Sequence, residues 1–138
     1  MSNPIVVGVD FEERSTPQIL QHGYLQGRAL GQPVLLVHVV EPIERPDQAD
    51  QDTRAFHDQL VRKAENQMTA LAEQAPAGVS VNTLVELGPR VEVLSRLAAE
   101  RGAVMLVLGS PFRGGPPVGI GLQILARCNC PVLIIPHS

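Results

Sequence analysis

A chain of 138 residues, 44% of them apolar but with only three phenylalanines, one tyrosine and no tryptophan, has enough material for one domain with an aliphatic core and too little for two. A formal charge of −3 and a pI near 5.7 supply no basic field for a phosphodiester backbone, and so few aromatics supply no stacking platform for bases, which excludes nucleic acid as the expected partner. No apolar run approaches the roughly 20 residues of a membrane span, and Met1 to Pro4 lacks the basic and apolar regions of a signal peptide, so a cytoplasmic protein without membrane insertion is expected.

The run Pro4-Ile5-Val6-Val7-Gly8-Val9-Asp10 is nearly continuous and β-branched, as a strand buried on both faces requires. Ser15 offers a capping hydroxyl and Pro17 suits a first helical turn, which predicts a helix to about Leu30. On its inner face Gly23 and Gly27, four apart, allow a close approach to the sheet. Gly31 ends this helix, and Pro33 to Val40 forms a second buried strand. Glu41 to Asp50, with Pro42, Pro46 and four acidic residues, reads as a loop. From Gln51 to about Ala75, the residues Phe56, Leu60, Ala64, Met68, Leu71 and Ala75 recur at steps of three and four and predict an amphipathic helix.

Val79 to Val85 alternates in the manner of a strand near a sheet edge, and Gly88-Pro89 breaks it. Val91, Leu94, Leu97 and Ala98 predict a short helix stopped by Gly102, followed by the most hydrophobic strand, Val104 to Leu108. After a Gly/Pro-rich loop from Gly109 to Pro117, a short helix around Ile120, Ile124 and Leu125 leads into a last strand, Val132 to Ile135. Strands alternating with helices imply parallel pairing through right-handed crossovers, and hence a single doubly wound α/β domain covering 1–138 with helices on both faces.

In such sheets ligands bind outside the carboxyl ends of the strands, which directs attention to Asp10, to Val39 and Val40, and to Gly109 onward. An aspartate there accepts hydrogen bonds either from a ribose hydroxyl or from N–H groups of its own turn. Arg113, Gly114, Gly115, Gly119 and Gly121 either build an anion site or, at Gly114-Gly115-Pro116-Pro117, form a plain tight connection. No nucleophile elbow or Walker-type loop is present, and Ser110 precedes Pro111 rather than a helix, so no catalytic residue is assigned. Cys128 and Cys130 form a C-x-C without a second ligand pair, and His22, His38, His57 and His137 are scattered singly, so no metal site is expected. Both thiols are expected to be reduced and mostly buried.

The first strand ending in Asp10, Leu35-Leu36-Val37-His38-Val39-Val40, Gly88-Pro89, Leu108-Gly109-Ser110 and the closing Cys130-Pro131-Val132-Leu133-Ile134-Ile135 together resemble a universal stress protein, over about Pro4 to Pro136. The resemblance implies a five-stranded parallel sheet of order 3-2-1-4-5. It also implies that Asp10 contacts a nucleoside, that the Val39 backbone meets adenine, and that Gly109, Ser110 and Gly119 lie at a phosphate loop. Nucleotide-binding members carry G-x-x-G, a nine-residue spacer and G-S or G-T. Here Gly109 matches, Phe112 stands at the second glycine, Val118-Gly119 falls on the final pair and the loop is about four residues short. An aspartate often found at the start of the fourth strand is replaced by Val104.

The expectation is therefore a homodimeric regulatory or stress-response protein with weak or no ATP binding, and with AMP or ATP as weak candidate ligands. The homodimer is expected to form through the apolar C-terminal strand, which the family often pairs across a two-fold axis. Two alternatives remain open: a nucleotide sensor or slow ATPase with a rebuilt loop, and an accessory subunit that contacts a protein partner through Glu41 to Asp50.

Overall fold

The computed structural model describes residues 3–43, 45, 47–109 and 120–136. Strand β1 (Ile5–Gly8) leads through helix α1 (Thr16–Leu30) to β2 (Val34–Val40), and α2 (Gln51–Glu73) leads to β3 (Val81–Leu87). Helix α3 (Arg90–Glu100), β4 (Met105–Gly109), α4 (Ile120–Leu125) and β5 (Val132–Ile135) complete the described chain. The strands form one sheet in the order β3-β2-β1-β4-β5, all pairs parallel. This is the architecture that the alternating pattern and the resemblance predict.

Side chains of successive strand residues point to opposite faces, and the β-branched runs divide accordingly. Val6, Leu35, Val37, Leu106 and Leu108 pack with Leu94 and Leu97 of α3 and Ile124 of α4. Ile5, Val7, Val34, Leu36 and Val107 pack with Ile19 of α1 and Met68 of α2 on the other face. Ile19, Met68, Leu106 and Ile124 are completely buried, each burial contributing about 1.5–3 kcal/mol before entropy is counted.

Helix α1 lies close to the sheet because Gly23 and Gly27 face it. A Cβ added at Gly23 meets Val7 Cγ2 at 2.7 Å, and one at Gly27 meets Val34 Cγ2 at 2.6 Å. The helix closes on Gly31 at φ 63°, whose N–H bonds back to the carbonyls of Arg28 and Gly27. At the other end Ser15 departs from its expected role: it makes no side-chain cap, and its Oγ donates instead to the Asp10 carboxylate.

Helix α2 begins where expected, with the Asp50 carboxylate accepting the Thr53 N–H at 2.8 Å. Its buried stripe is His57, Ala64 and Met68, while Phe56 is 44% exposed. His57 replaces Phe56 on the inner face because its Nε2 accepts the Ile43 N–H at 3.2 Å and so ties the preceding loop to the helix. In α4 Ile124 is buried but Leu125 points outward. Cys128 and Cys130 are free, as expected, but only half-buried, because they flank the turn into an edge strand. No helix among the described residues is long and apolar enough to cross a membrane.

Candidate functional site

The chain leaves β1 toward α1 on one face of the sheet and leaves β4 toward α4 on the other. Strands β1 and β4 are neighbours, so their carboxyl ends open a crevice where the winding direction switches. A cavity of about 280 Å³ lies there, near the small end of the range for ligand sites, roughly 300–1,000 Å³. Val37, Val39, Leu94 and Leu108 give it apolar walls, and Asp10, Glu12 and Arg90 bring charge to it. Gly8 forms part of the lining without a side chain: a Cβ there comes within 2.7 Å of Leu108 Cδ2 and 3.6 Å of Leu94 Cδ1.

Three of the residues singled out from the sequence, Asp10, Val39 and Gly109, meet in this cavity. Val39 follows the last paired rung of β1 and β2, Gly8↔Val37. The Val37 carbonyl accepts the Val9 N–H at 2.8 Å, whereas the Val40 carbonyl accepts from Gly88 on the β3 side. Since main-chain groups alternate sides along a strand, the N–H and C=O of Val39 face the side that β1 has left, toward the cavity. Asp10 stands opposite at the exposed end of β1. Its Oδ1 accepts the Glu12 N–H at 3.0 Å and the Thr16 hydroxyl at 3.3 Å, and Ser15 Oγ lies 3.4 Å from both carboxylate oxygens. Asp10 therefore organises its own turn, as one of its two readings expects, and it also lines the cavity.

Gly109 closes the cavity at the end of β4, and a Cβ there meets Ile19 Cδ1 at 2.7 Å. Ser110, Arg113, Gly114, Gly115 and Gly119, the other predicted site residues, lie outside the described residues, as do Phe112 and Val118.

Three contributors escaped the sequence reading. Arg90, in the first turn of α3, lines the cavity and pairs with Glu41 at 3.3 Å. Its position directly after Gly88-Pro89, beyond a strand's carboxyl end, is the signal that could have found it. Glu12 lines the same cavity two residues beyond Asp10. His38 lies on the opposite face of β2 from Val39, half-buried, with Nδ1 2.6 Å from the Val9 carbonyl. Burial holds its pKa below the usual 6.5, and Arg90 adds to this, while the Val9 carbonyl and Asp10 act in the opposite direction. The neutral ring thus donates through Nδ1–H to Val9.

Beside it Phe11 adopts φ 62°, the only positive φ outside glycine among the described residues. Its ring packs on His38 at a centroid separation of 4.3 Å. No group of three or more potential metal ligands occurs among the described residues.

Several solved structures share this architecture. Hypothetical protein MJ0577 superimposes with a TM-score of 0.82 at 19% identity, over 100% of this chain and 98% of that one. The universal stress protein UspA from Lactobacillus plantarum gives 0.73 at 15% identity, over 97% of each chain. The universal stress protein from Archaeoglobus fulgidus in complex with dAMP gives 0.64 at 20% identity, over 96% and 97%. At these identities the likeness is one of fold. No curated protein matches the chain. The Universal stress protein family matches residues 1–136, and the chain belongs to that family.

Proposed function

We propose that this universal stress protein is a homodimeric regulatory protein whose cavity takes the adenosine part of a nucleotide weakly and gains little from a β- or γ-phosphate. The observation that carries the reading is the meeting of the Asp10 carboxylate and the main chain of Val39 at one apolar-walled cavity. An ionised carboxylate accepts hydrogen bonds only, which suits the two hydroxyls of a ribose. A purine ring between Val37, Leu94 and Leu108 is desolvated there, and the N–H and C=O of Val39 give its edge one donor and one acceptor. The Archaeoglobus fulgidus relative was solved with dAMP, a ligand of the same class.

The phosphates leave such a nucleoside over Gly109, toward the shortened loop. Losing two backbone donors to phosphate, at roughly 1.5–3 kcal/mol each, forfeits about 3–6 kcal/mol, a factor of about a hundred to more than ten thousand in affinity. A cytoplasmic location belongs to the same proposal and suits two free thiols. Chromatography of the supernatant from freshly purified, denatured protein tests the reading: at most traces of ATP are expected, and stoichiometric ATP overturns it in favour of a nucleotide sensor.

A second reading, an accessory subunit with a protein partner, is favoured by one observation. Ile43, in the loop named for that role, is 68% exposed, and Phe56 is 44% exposed close by at the start of α2. Replacing both with serine abolishes partner capture in a pull-down on this reading and leaves nucleoside binding unchanged.

A further inference from the structure

Cys128 and Cys130 lie away from the nucleoside cavity, at the turn between α4 and β5. Their Sγ atoms are 3.3 Å apart, in a thiol–thiol hydrogen bond. They border a separate cavity of about 320 Å³ that is also lined by the small residues Ser95, Ala98, Ala99 and Ala103 and by Arg127. The Ser95 hydroxyl oxygen is buried without a hydrogen-bond partner.

Two sulfurs held this close make a bidentate ligand of small bite. With sulfur bonds of about 2.3 Å, the separation of 3.3 Å closes to an S–X–S angle of about 90°. A linear two-coordinate cation such as Cu(I) needs sulfurs about 4.6 Å apart at the same bond length. A tetrahedral metal needs further protein ligands, and no such cluster exists among the described residues. A pyramidal trivalent centre, whose lone pair compresses its bonds toward right angles, matches the bite. It also carries a third substituent, for which the adjoining cavity has room.

We propose that Cys128 and Cys130 form a dithiol site for trivalent organoarsenicals, R–As(OH)2, with the organic group R seated in the cavity beside α3. Each thiol S–H bond breaks as an S–As bond forms, and each proton leaves with an arsenic-bound hydroxide as water. Two waters are released, arsenic remains trivalent and nothing is oxidised or reduced. Every species is neutral, which suits a half-buried site. Burial pushes the Cys130 thiol up to about 11, with the Cys128 hydrogen bond adding to the effect, so little thiolate is present at neutral pH and attack on arsenic is slow, while the neutral product is unaffected.

The test is titration of the reduced full-length protein with phenylarsonous acid, read by intact-mass spectrometry and by counting free thiols. One arsenical per chain is expected, with loss of both thiols and release by a dithiol but not by glutathione. Cys128→Ser and Cys130→Ser should each weaken binding at least about a hundredfold, the factor by which a second linked attachment raises affinity. Ala99→Leu should weaken the phenyl compound more than its methyl analogue while both thiols remain countable. Single-cysteine variants that bind as tightly as wild type overturn the proposal, as does oxidation of the pair to a disulfide without arsenic retained.

Discussion

His38 Nδ1 lies 2.6 Å from the carbonyl oxygen of Val9, across the point where β1 and β2 stop pairing. In a continuing ladder the next donor to that carbonyl is the Val39 N–H. The imidazole accepts this role from the far face of the sheet, and the Val39 main chain is left facing the cavity. The contact requires a ring with a proton on Nδ1, and the neutral form supplies it without placing charge between α1 and the sheet.

Stability should fall as pH is lowered through this histidine. Its folded pKa lies below the unfolded 6.5, so between the two values the unfolded chain binds more protons and unfolding takes them up. The contribution of His38 is fully present above pH 6.5 and is lost as pH falls toward the folded value. Urea denaturation of wild type and His38→Gln across that range should show the two curves converging at low pH. A gap that widens on acidification contradicts the assignment of a neutral ring.

Phe11 holds φ 62°, a conformation costing roughly 1–2 kcal/mol for an L-residue with a Cβ, and offsets it by packing on His38. Removing the ring while keeping the Cβ should therefore be worse than removing both. Phe11→Ala is expected to be less stable than Phe11→Gly by about 1 kcal/mol, the reverse of the usual order. Denaturant midpoints of the two variants decide it, and an alanine variant that matches or exceeds the glycine one removes the strain argument.

Gly27 is the tightest point between α1 and the sheet. An added methyl meets Val34 Cγ2 at 2.6 Å and the Gln32 carbonyl oxygen at 3.1 Å, and the second of these is backbone that cannot rotate away. Gly27→Ala should cost about 1–3 kcal/mol by overpacking, outweighing the roughly 1 kcal/mol it gains in helix propensity. A midpoint equal to wild type shows that α1 can rise off the sheet freely.

Strand β5 ends the sheet, pairing with β4 on one side only, and its Ile134 is 38% exposed. An apolar edge of this kind is a template for pairing with a second copy. Light scattering at micromolar concentration should give twice the chain mass for wild type and the single mass for Ile134→Lys. A wild-type monomer removes the basis for the dimer.

The sheet was legible in the sequence because parallel strands buried on both faces leave nearly continuous apolar runs rich in β-branched residues, as in Ile5 to Val9 and Val34 to Val40. Gly23 and Gly27 were legible by their spacing. What was not legible depends on partners distant in the chain. Hydropathy ranks Phe56 above His57, and only the bond to the Ile43 N–H turns the histidine inward. Ser15 has the composition of a cap, and only the neighbouring Asp10 carboxylate diverts it. Asp10 and Val39 were found from the ends of their strands, whereas Arg90 at the start of α3 and Glu12 in the turn after β1 look like ordinary polar residues until strand order brings them to one cavity.

Calorimetry with adenosine, AMP and ATP on wild type and Asp10→Asn tests the central claim most directly. The Asn variant preserves an acceptor for the Glu12 N–H and so separates ligand binding from the integrity of the turn. The account predicts weak, similar affinities for adenosine and AMP, ATP binding no tighter than about millimolar, roughly −4 kcal/mol, and loss of all three in Asp10→Asn with its denaturant midpoint little changed. Micromolar ATP binding that adenosine does not approach, or nucleoside binding undiminished in Asp10→Asn, contradicts it.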